Sequence, residues 1–322
     1  MPEWLVERGI GEVRAALIHE GAIVEARIVL EGTMPAGSVI RARLASTGTN
    51  GRNAIAIGEG SIEYLLPRGA PGVTQGATLS IEVTREAIPG AEPWKLPLAR
   101  VADKKTEPVP SLIERLGGRE LVFPGSPDEF ETAGWGDLLE QARSGIVTFA
   151  GGELKISATP AMTLIDVDGY LAPEELAVLG AAEAALAIRR LDIGGSIGID
   201  LPTCRSKAAR KAAAEAIDAA LPQPFERTAV NGFGFIQIVR PRRRASLIEL
   251  ALDRAGFEAR ALLRRTMFEG AGPKRLAGHP ALIAVLERQG DWLDALARQV
   301  GGAISLRADP SLPMSGGYAE SV

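Results

Sequence analysis

The chain is poor in the residues that build covalent or metal cages. It has 322 residues, but only one cysteine, Cys204, and two histidines, His19 and His279. A lone thiol forms no internal disulfide and fits a reducing compartment. One cysteine and two histidines also cannot furnish a four-ligand zinc cage within a single chain. No apolar run approaches the roughly 20 residues that a membrane-spanning helix needs. The opening Met1-Pro2-Glu3-Trp4 lacks the basic region and apolar core of a signal peptide. These absences lead us to expect a soluble cytoplasmic protein with no membrane partner. The net charge is −4, which argues against coating nucleic acid by bulk charge. It leaves room for a local basic track, because affinity follows the phosphates contacted.

What is present is ordinary globular composition, 46% hydrophobic and 24% charged, at a length that suggests two or three domains. Residues 13–18 and 23–30 read as a hairpin about His19-Glu20-Gly21-Ala22. Short β-rich runs at 39–44, 54–57, 61–66 and 78–83, punctuated by Gly and Pro, predict a small barrel such as an OB-fold. Residues 103–112 are charged and Pro-broken and read as a linker. A poorly patterned stretch with Phe123-Pro124-Gly125-Ser126-Pro127 follows, and a short helix is expected near 135–143. From residue 146 the pattern is regular. A hairpin covers 146–149 and 153–157, and a strand ends in Asp166. Pro173-Glu174-Glu175 then opens a helix, with Pro at an early position and acids in the first turn. A strand ending in Asp200, a helix over 206–220 and strands at 225–230 and 235–240 come next. One long helix is expected over 245–267, then two short helices and a strand at 303–306.

The two strand-end aspartates are the most informative residues. Asp166 lies in Met162-Thr163-Leu164-Ile165-Asp166-Val167-Asp168-Gly169, and Asp200 in Ser196-Ile197-Gly198-Ile199-Asp200-Leu201-Pro202. A strand, a crossover helix and a second strand place two parallel strands side by side. Both carboxylates would then share one sheet edge. Two such charges about 4 Å apart repel by roughly 4 kcal/mol at an effective dielectric near 20, and call for a cation, a shared proton or a basic partner. Magnesium, held by one or two carboxylates and a substrate phosphate, is the usual solution. Taken singly, a strand-end Asp is more often a turn or cap residue; the pair in this frame favours the metal. Asp192 reads as a helix-end residue, and Gly194-Gly195 ends a helix rather than cradling a phosphate.

The order and spacing of several segments resemble the ribonuclease E/G family of endoribonucleases over most of the chain. Gly151-Gly152-Glu153-Leu154-Lys155-Ile156, Thr159-Pro160-Ala161 and Ile165-Asp166-Val167-Asp168-Gly169 are similar to that family's Gly-Gly, Thr-Glu-Ala and Ile-Asp-Val-Asn-Gly block. Arg189-Arg190-Leu191-Asp192-Ile193-Gly194-Gly195 with Ile199-Asp200 resembles its Arg-Leu-Arg-Asp-Leu-Gly-Gly…Ile-Asp-Phe block. Gly234-Phe235-Ile236-Gln237-Ile238-Val239-Arg240-Pro241-Arg242 resembles its Gly-Leu-Val-Glu-Met-Thr-Arg-Lys-Arg segment. Glu63-Tyr64-Leu65-Leu66-Pro67 is close to a turn of its OB-fold domain. The resemblance implies a mixed α/β (α+β) protein with a hairpin at 1–30 packing on the nuclease core and an OB-fold RNA-binding barrel at 31–105. A linker or remnant at 106–145, a nuclease domain at 146–270 and a small C-terminal α/β subdomain at 271–322 would follow. It implies Asp166 and Asp200 as magnesium ligands, with manganese as a substitute and no zinc. Asp168 stands where the family has an orienting Asn and joins them as a catalytic residue. Tyr64 and Lys95, beside Trp94, would touch RNA in the barrel. Arg189, Arg240, Arg242, Arg243 and Arg244 would hold phosphate.

Four departures qualify the implication. Asp168 replaces Asn and adds a negative charge, and Pro160 replaces an acid. The family's zinc link is absent, so any oligomer is not zinc-bridged. Residues 105–145 are too few for the family's full 5′-monophosphate sensor. Alternatives also stand beside the RNA contacts: Tyr64 reads nearly as well as a buried barrel aromatic, and Arg240–Arg244 as an exposed edge. The expectation is a magnesium-dependent endoribonuclease acting on single-stranded RNA. A catalytically decayed RNA-binding or regulatory relative is the alternative. A phosphoesterase for a single nucleotide has less need of a barrel.

Overall fold

The computed structural model describes residues 1–89, 95–103, 109–122 and 127–322. From the amino end, β1 (Glu3–Arg8), β2 (Glu12–His19) and β3 (Ala22–Leu30) form an antiparallel meander. Glu20 and Gly21 both take positive φ between β2 and β3, the backbone that a tight hairpin needs. Strands β4 (Val39–Ser46), β5 (Ala54–Ile57), β6 (Glu63–Leu66), β7 (Thr78–Arg85) and β8 (Leu98–Val101) close a barrel in the order β4-β5-β6-β8-β7. Next come α1 (Leu112–Leu116), β9 (Arg119–Glu120), α2 (Glu129–Thr132) and α3 (Trp135–Ser144). The series β10 (Ile146–Phe149), β11 (Gly152–Ala158), β12 (Thr163–Gly169), α4 (Pro173–Arg190), β13 (Gly195–Asp200), α5 (Lys207–Ala220), β14 (Glu226–Arg227) and β15 (Phe235–Arg240) follows. The rest is α6 (Leu247–Ala251), α7 (Arg254–Met267), β16 (Lys274–Gly278), α8 (Pro280–Arg288), α9 (Gly290–Val300), β17 (Ile304–Ala308) and β18 (Tyr318–Ser321). The chain is a mixed α/β protein with a closed five-stranded barrel. No helix among the described residues is long and apolar enough to cross a membrane.

Two compact units divide the chain. One gathers Met1–Glu31, Leu112–Asp137 and Leu250–Val322. It holds the sheet β3-β2-β1-β9 and the sheet β17-β16-β18, and Leu262, Leu263, Leu276, Leu282 and Leu286 lie in its core. The other comprises Gly32–Ser111 and Leu138–Glu249. Its barrel closes over Leu44, Tyr64, Leu66, Ile81 and Val83. Its second part is the six-stranded sheet β10-β11-β12-β13-β15-β14, in which only β12 and β13 run parallel. Helix α4 packs on α5 and on β11 and β12 of this sheet. Gly180 makes the close approach possible, since a Cβ there would stand 2.3 Å from Val167 Cγ1.

Several expectations shift. The helix read over 245–267 is two helices, because Asp253 caps α7 by accepting the Gly256 N–H at 3.2 Å. The strand expected at 225–230 shrinks to two residues, while β1, β8, β9, β16 and β18 are additional. The units cut across the boundaries read from the sequence: α7 groups with residues 1–31 and with the C-terminal strands. Residues 104–108 of the expected linker, the Phe123-Pro124-Gly125-Ser126 stretch and Trp94 lie outside the described residues.

Candidate functional site

Asp166 and Asp200 are direct partners across the β12–β13 ladder. Side chains of partnered residues point to the same face of a sheet. Along β12, Thr163, Ile165 and Val167 are buried, and Leu164, Asp166 and Asp168 are exposed. The site therefore lies on the exposed face. Asp166 partners Lys155 on β11, and Asp200 partners Phe235 on β15. One row across four strands reads Lys155, Asp166, Asp200, Phe235. Asp166 is the middle residue of β12, which runs on to Gly169 rather than ending at the aspartate as expected. The parallel β12–β13 ladder ends at the Asp166–Asp200 pair, and Asp200 is the last residue of its strand. Ligands of sheets with parallel strands characteristically bind beyond such ends.

The charges in this row do not balance locally. Lys155 Nζ pairs with Asp168 at 2.6 Å and with Glu153 at 3.4 Å, which raises the lysine pKa and keeps it charged. Neither Asp166 nor Asp200 makes an ion pair with any described residue. The Asp166 carboxyl is pushed above the ordinary carboxylate range, first by burial and then by the charges of Asp168 and Asp200. Lys155 and the Val167 N–H oppose that shift without cancelling it. Two neighbouring carboxylates, one with its pKa raised by burial and then by its neighbours' charge, fit a hard divalent cation that keeps most of its waters. They do not fit a closed protein cage: no group of three or more His, Cys, Asp or Glu suited to a metal exists among the described residues.

The arginines lie elsewhere. In the antiparallel β13–β15 ladder Arg240 pairs with Gly195, and Phe235 with Asp200. At about 3.3 Å per residue, Arg240 stands roughly 16 Å from the aspartate end. Arg189 is in the last turn of α4, next to the entry of β13 rather than its exit. Arg244 pairs with Asp192 at 2.8 Å, and Arg240 with Asp192 at 3.8 Å. Arg242 pairs with Glu249, which also accepts the Ser246 N–H and hydroxyl at 2.9 Å each. Arg243 is exposed, but its carbonyl accepts the Glu86 N–H at 2.8 Å and fixes it at the same far end. The expectation that these arginines clamp a phosphate at Asp166 and Asp200 of the same chain is corrected: Arg240 and Arg244 tie the strand end to Asp192 and Ile193, and Arg242 pairs within its own segment.

Tyr64 is also corrected as a stacking residue. It is 2% exposed in the barrel core, and burial pushes its hydroxyl pKa up. Its ring has no free face for a base. Lys95 is half-buried ahead of β8. Sequence reading missed two aromatics beside the aspartates. Phe235 lies on the same face, with its ring over Gly198; a Cβ on Gly198 would stand 2.6 Å from Phe235 Cζ and 3.0 Å from Leu164 Cδ2. Phe233, two residues earlier, is 82% exposed. The alternation in Phe235-Ile236-Gln237-Ile238-Val239 was the available signal, since it separates a buried isoleucine face from the face that meets Asp200. No family model matches the chain, and no curated protein matches it.

Proposed function

We propose that the chain is a magnesium-dependent endoribonuclease of the ribonuclease E/G type that cleaves single-stranded RNA. The observation that carries this reading is the ladder partnership of Asp166 and Asp200, two carboxylates on one exposed face that make no ion pair with a described residue. Asp166 and Asp200 bind the cation, and manganese serves in place of magnesium because it takes the same oxygen ligands. When bound, the cation polarises a phosphodiester oxygen and lowers the pKa of a water. Lys155 stays protonated between Asp168 and Glu153 and sets a fixed positive charge beside Asp166. From there it can stabilise charge that develops on phosphate oxygens. Asp168, engaged by Lys155, orients that ammonium rather than binding the cation.

The barrel supports an RNA substrate. Its strand order, with β6 and β8 parallel and β4 closing onto β7, is what a five-stranded OB barrel requires. Such barrels hold single strands in a surface groove. In this reading the six-stranded sheet with α4 and α5 is the nuclease core. The test is cleavage of an unstructured oligoribonucleotide by the full chain. Cleavage should require magnesium or manganese, and Asp166→Asn or Asp200→Asn should abolish it. Turnover unchanged in either variant rejects the assignment.

A second reading has its own observation. The engagement of Asp168 by Lys155 favours an RNA-binding relative that has lost catalysis. RNA binding by the wild type without turnover in either metal would select it.

A further inference from the structure

The turn that carries Phe233 is rigid, although its ring is bare. Asn231 Oδ1 accepts the N–H groups of Phe233 and Phe235 at 2.9 and 3.1 Å. The Gly234 N–H donates to the Asn231 carbonyl at 3.2 Å, and the Asn231 N–H to the Phe235 carbonyl at 2.9 Å. The Thr203 hydroxyl donates to the Phe233 carbonyl at 3.0 Å, and the Leu201 N–H to the Gly234 carbonyl at 3.2 Å. These last two bonds pin the turn beside the exit of β13, one residue beyond Asp200. Gly234 is required there: its φ is +96°, and a Cβ would meet the Leu201 carbonyl oxygen at 2.2 Å.

Two cations stand on the segment that is bonded to the Phe233 carbonyl. Arg205 and Lys207 are exposed on the loop and first turn of α5 that Thr203 ties to Phe233. Neither makes an ion pair with a described residue. Lys207 also lines a cavity of about 650 Å³ with Arg210, Lys211, Arg227 and Val230. Glu215 takes Lys211 at 3.1 Å and Asp218 takes Arg227, while Arg210 donates to the carbonyls of Cys204 and Arg205 at 2.8 and 3.0 Å. The positive charge here without an acidic partner among the described residues is that of Arg205, Lys207 and Arg210, and of these Arg205 and Lys207 are exposed. An aromatic face held rigid beside unpaired cations suits a nucleic-acid strand, whose bases stack and whose phosphates need counter-charge.

We infer that Phe233 is a base-stacking residue for single-stranded RNA, with Arg205 and Lys207 as its phosphate contacts, directly adjoining the Asp166–Asp200 pair. The inference rests on the nuclease reading for the position of the cleaved linkage but not for the binding itself. Phe233, not a barrel aromatic, then holds the base next to the cleaved bond.

The experiment measures fluorescence anisotropy of a labelled, unstructured 12-nucleotide RNA with the full chain in EDTA, so that no cleavage intervenes. Phe233→Ala should weaken binding by about 5- to 100-fold, the range of one lost base stack. Phe233→Trp should bind like the wild type, and RNA should quench its indole emission. Replacing Arg205 and Lys207 together by Ala should lower the salt slope by about two. Leu186→Ala, an exposed apolar change on α4, should bind normally. Phe233→Ala binding within about twofold of the wild type overturns the inference. So does a wild type that does not bind the 12-mer, or that binds a mononucleotide equally well. If Asp166→Asn abolishes cleavage while Phe233→Ala binds normally, this inference alone fails. If no cleavage occurs in either metal while Phe233→Ala loses affinity, the nuclease reading alone fails.

Discussion

Asp166 stands between Lys155 and Asp200 on the sheet, and burial together with the charges of Asp168 and Asp200 lifts its carboxyl pKa. A lifted pKa means that the native chain holds this proton more tightly than the unfolded chain does. Between the ordinary and the lifted value the native state binds more protons, so stability falls as pH rises through that window. The destabilisation is complete above the lifted value and absent below the ordinary one, near about pH 3.9. Asp166→Asn removes the charge, so in EDTA at neutral pH it should melt at or above the wild-type temperature. The difference should close as the pH falls below the ordinary carboxylate range. Magnesium should then raise the melting temperature of the wild type more than that of the variant, because a ligand of the native state stabilises it. Melting of Asp166→Asn below the wild type at neutral pH would mean that a favourable partner holds the carboxylate. Phe233 and Tyr64 teach the complementary point. Both are aromatic and lie near turns, yet only the backbone bonding around Asn231 leaves one ring outside.

At the scale of elements, the arginine-rich segment after β15 is a brace. Asp192 takes positive φ at the end of α4, and its carboxylate receives Arg240 and Arg244. Gly194 allows the crossing, since a Cβ there would stand 2.9 Å from the Pro241 carbonyl oxygen. Arg244→Ala leaves Asp192 with the longer Arg240 contact as its ion pair among the described residues. It should cost about 2 kcal/mol in urea unfolding, the scale of a hydrogen bond to a charged group. RNA affinity of the folded variant should stay within about twofold of the wild type. A larger loss of affinity without a loss of stability would return the cluster to the RNA track. Patterns of this range were partly legible. The run Thr163-Leu164-Ile165-Asp166-Val167-Asp168 alternates, and Pro173 with Glu174 and Glu175 marks a helix start, so the frame that pairs Asp166 with Asp200 could be read. Strand β16 could not, because Lys274 is buried, its ammonium donating to the Glu269 carbonyl at 2.9 Å and to Ser321 Oγ at 3.0 Å. A lysine in a short run reads as surface. The break before α7 was hidden in the same way: Asp253 is tolerable inside a helix, and only its bond to Gly256 makes it a cap.

At the scale of the whole molecule, one unit is assembled from three segments far apart in sequence, and a buried chain of alternating charges joins them. Arg260 pairs with Glu12 at 2.9 Å, Glu12 with Arg14 at 2.6 Å, and Arg14 with Glu7. Glu7 pairs with Arg264 at 2.9 Å, and Arg264 with Asp128 at 2.7 Å. Glu7, Glu12 and Arg14 come from the first segment, Asp128 from the second, and Arg260 and Arg264 from the third. Partners 248 and 257 positions apart leave no local signature, which is why the grouping of α7 with the first strands was not legible. Glu7 is 1% exposed and sits between two arginines. Removing one member of a buried ionic chain strands charge in a medium that solvates it poorly, at about 3–5 kcal/mol. Glu7→Gln, which keeps the shape and removes the charge, should therefore lose roughly that much in urea unfolding. Because the chain of pairs spans all three segments, hydrogen exchange should accelerate together in Met1–Glu31, Leu112–Asp137 and Leu250–Val322. Acceleration confined to the first segment, or an unchanged urea midpoint, would show that apolar packing around Leu262 and Leu282 joins the segments without help from the charges.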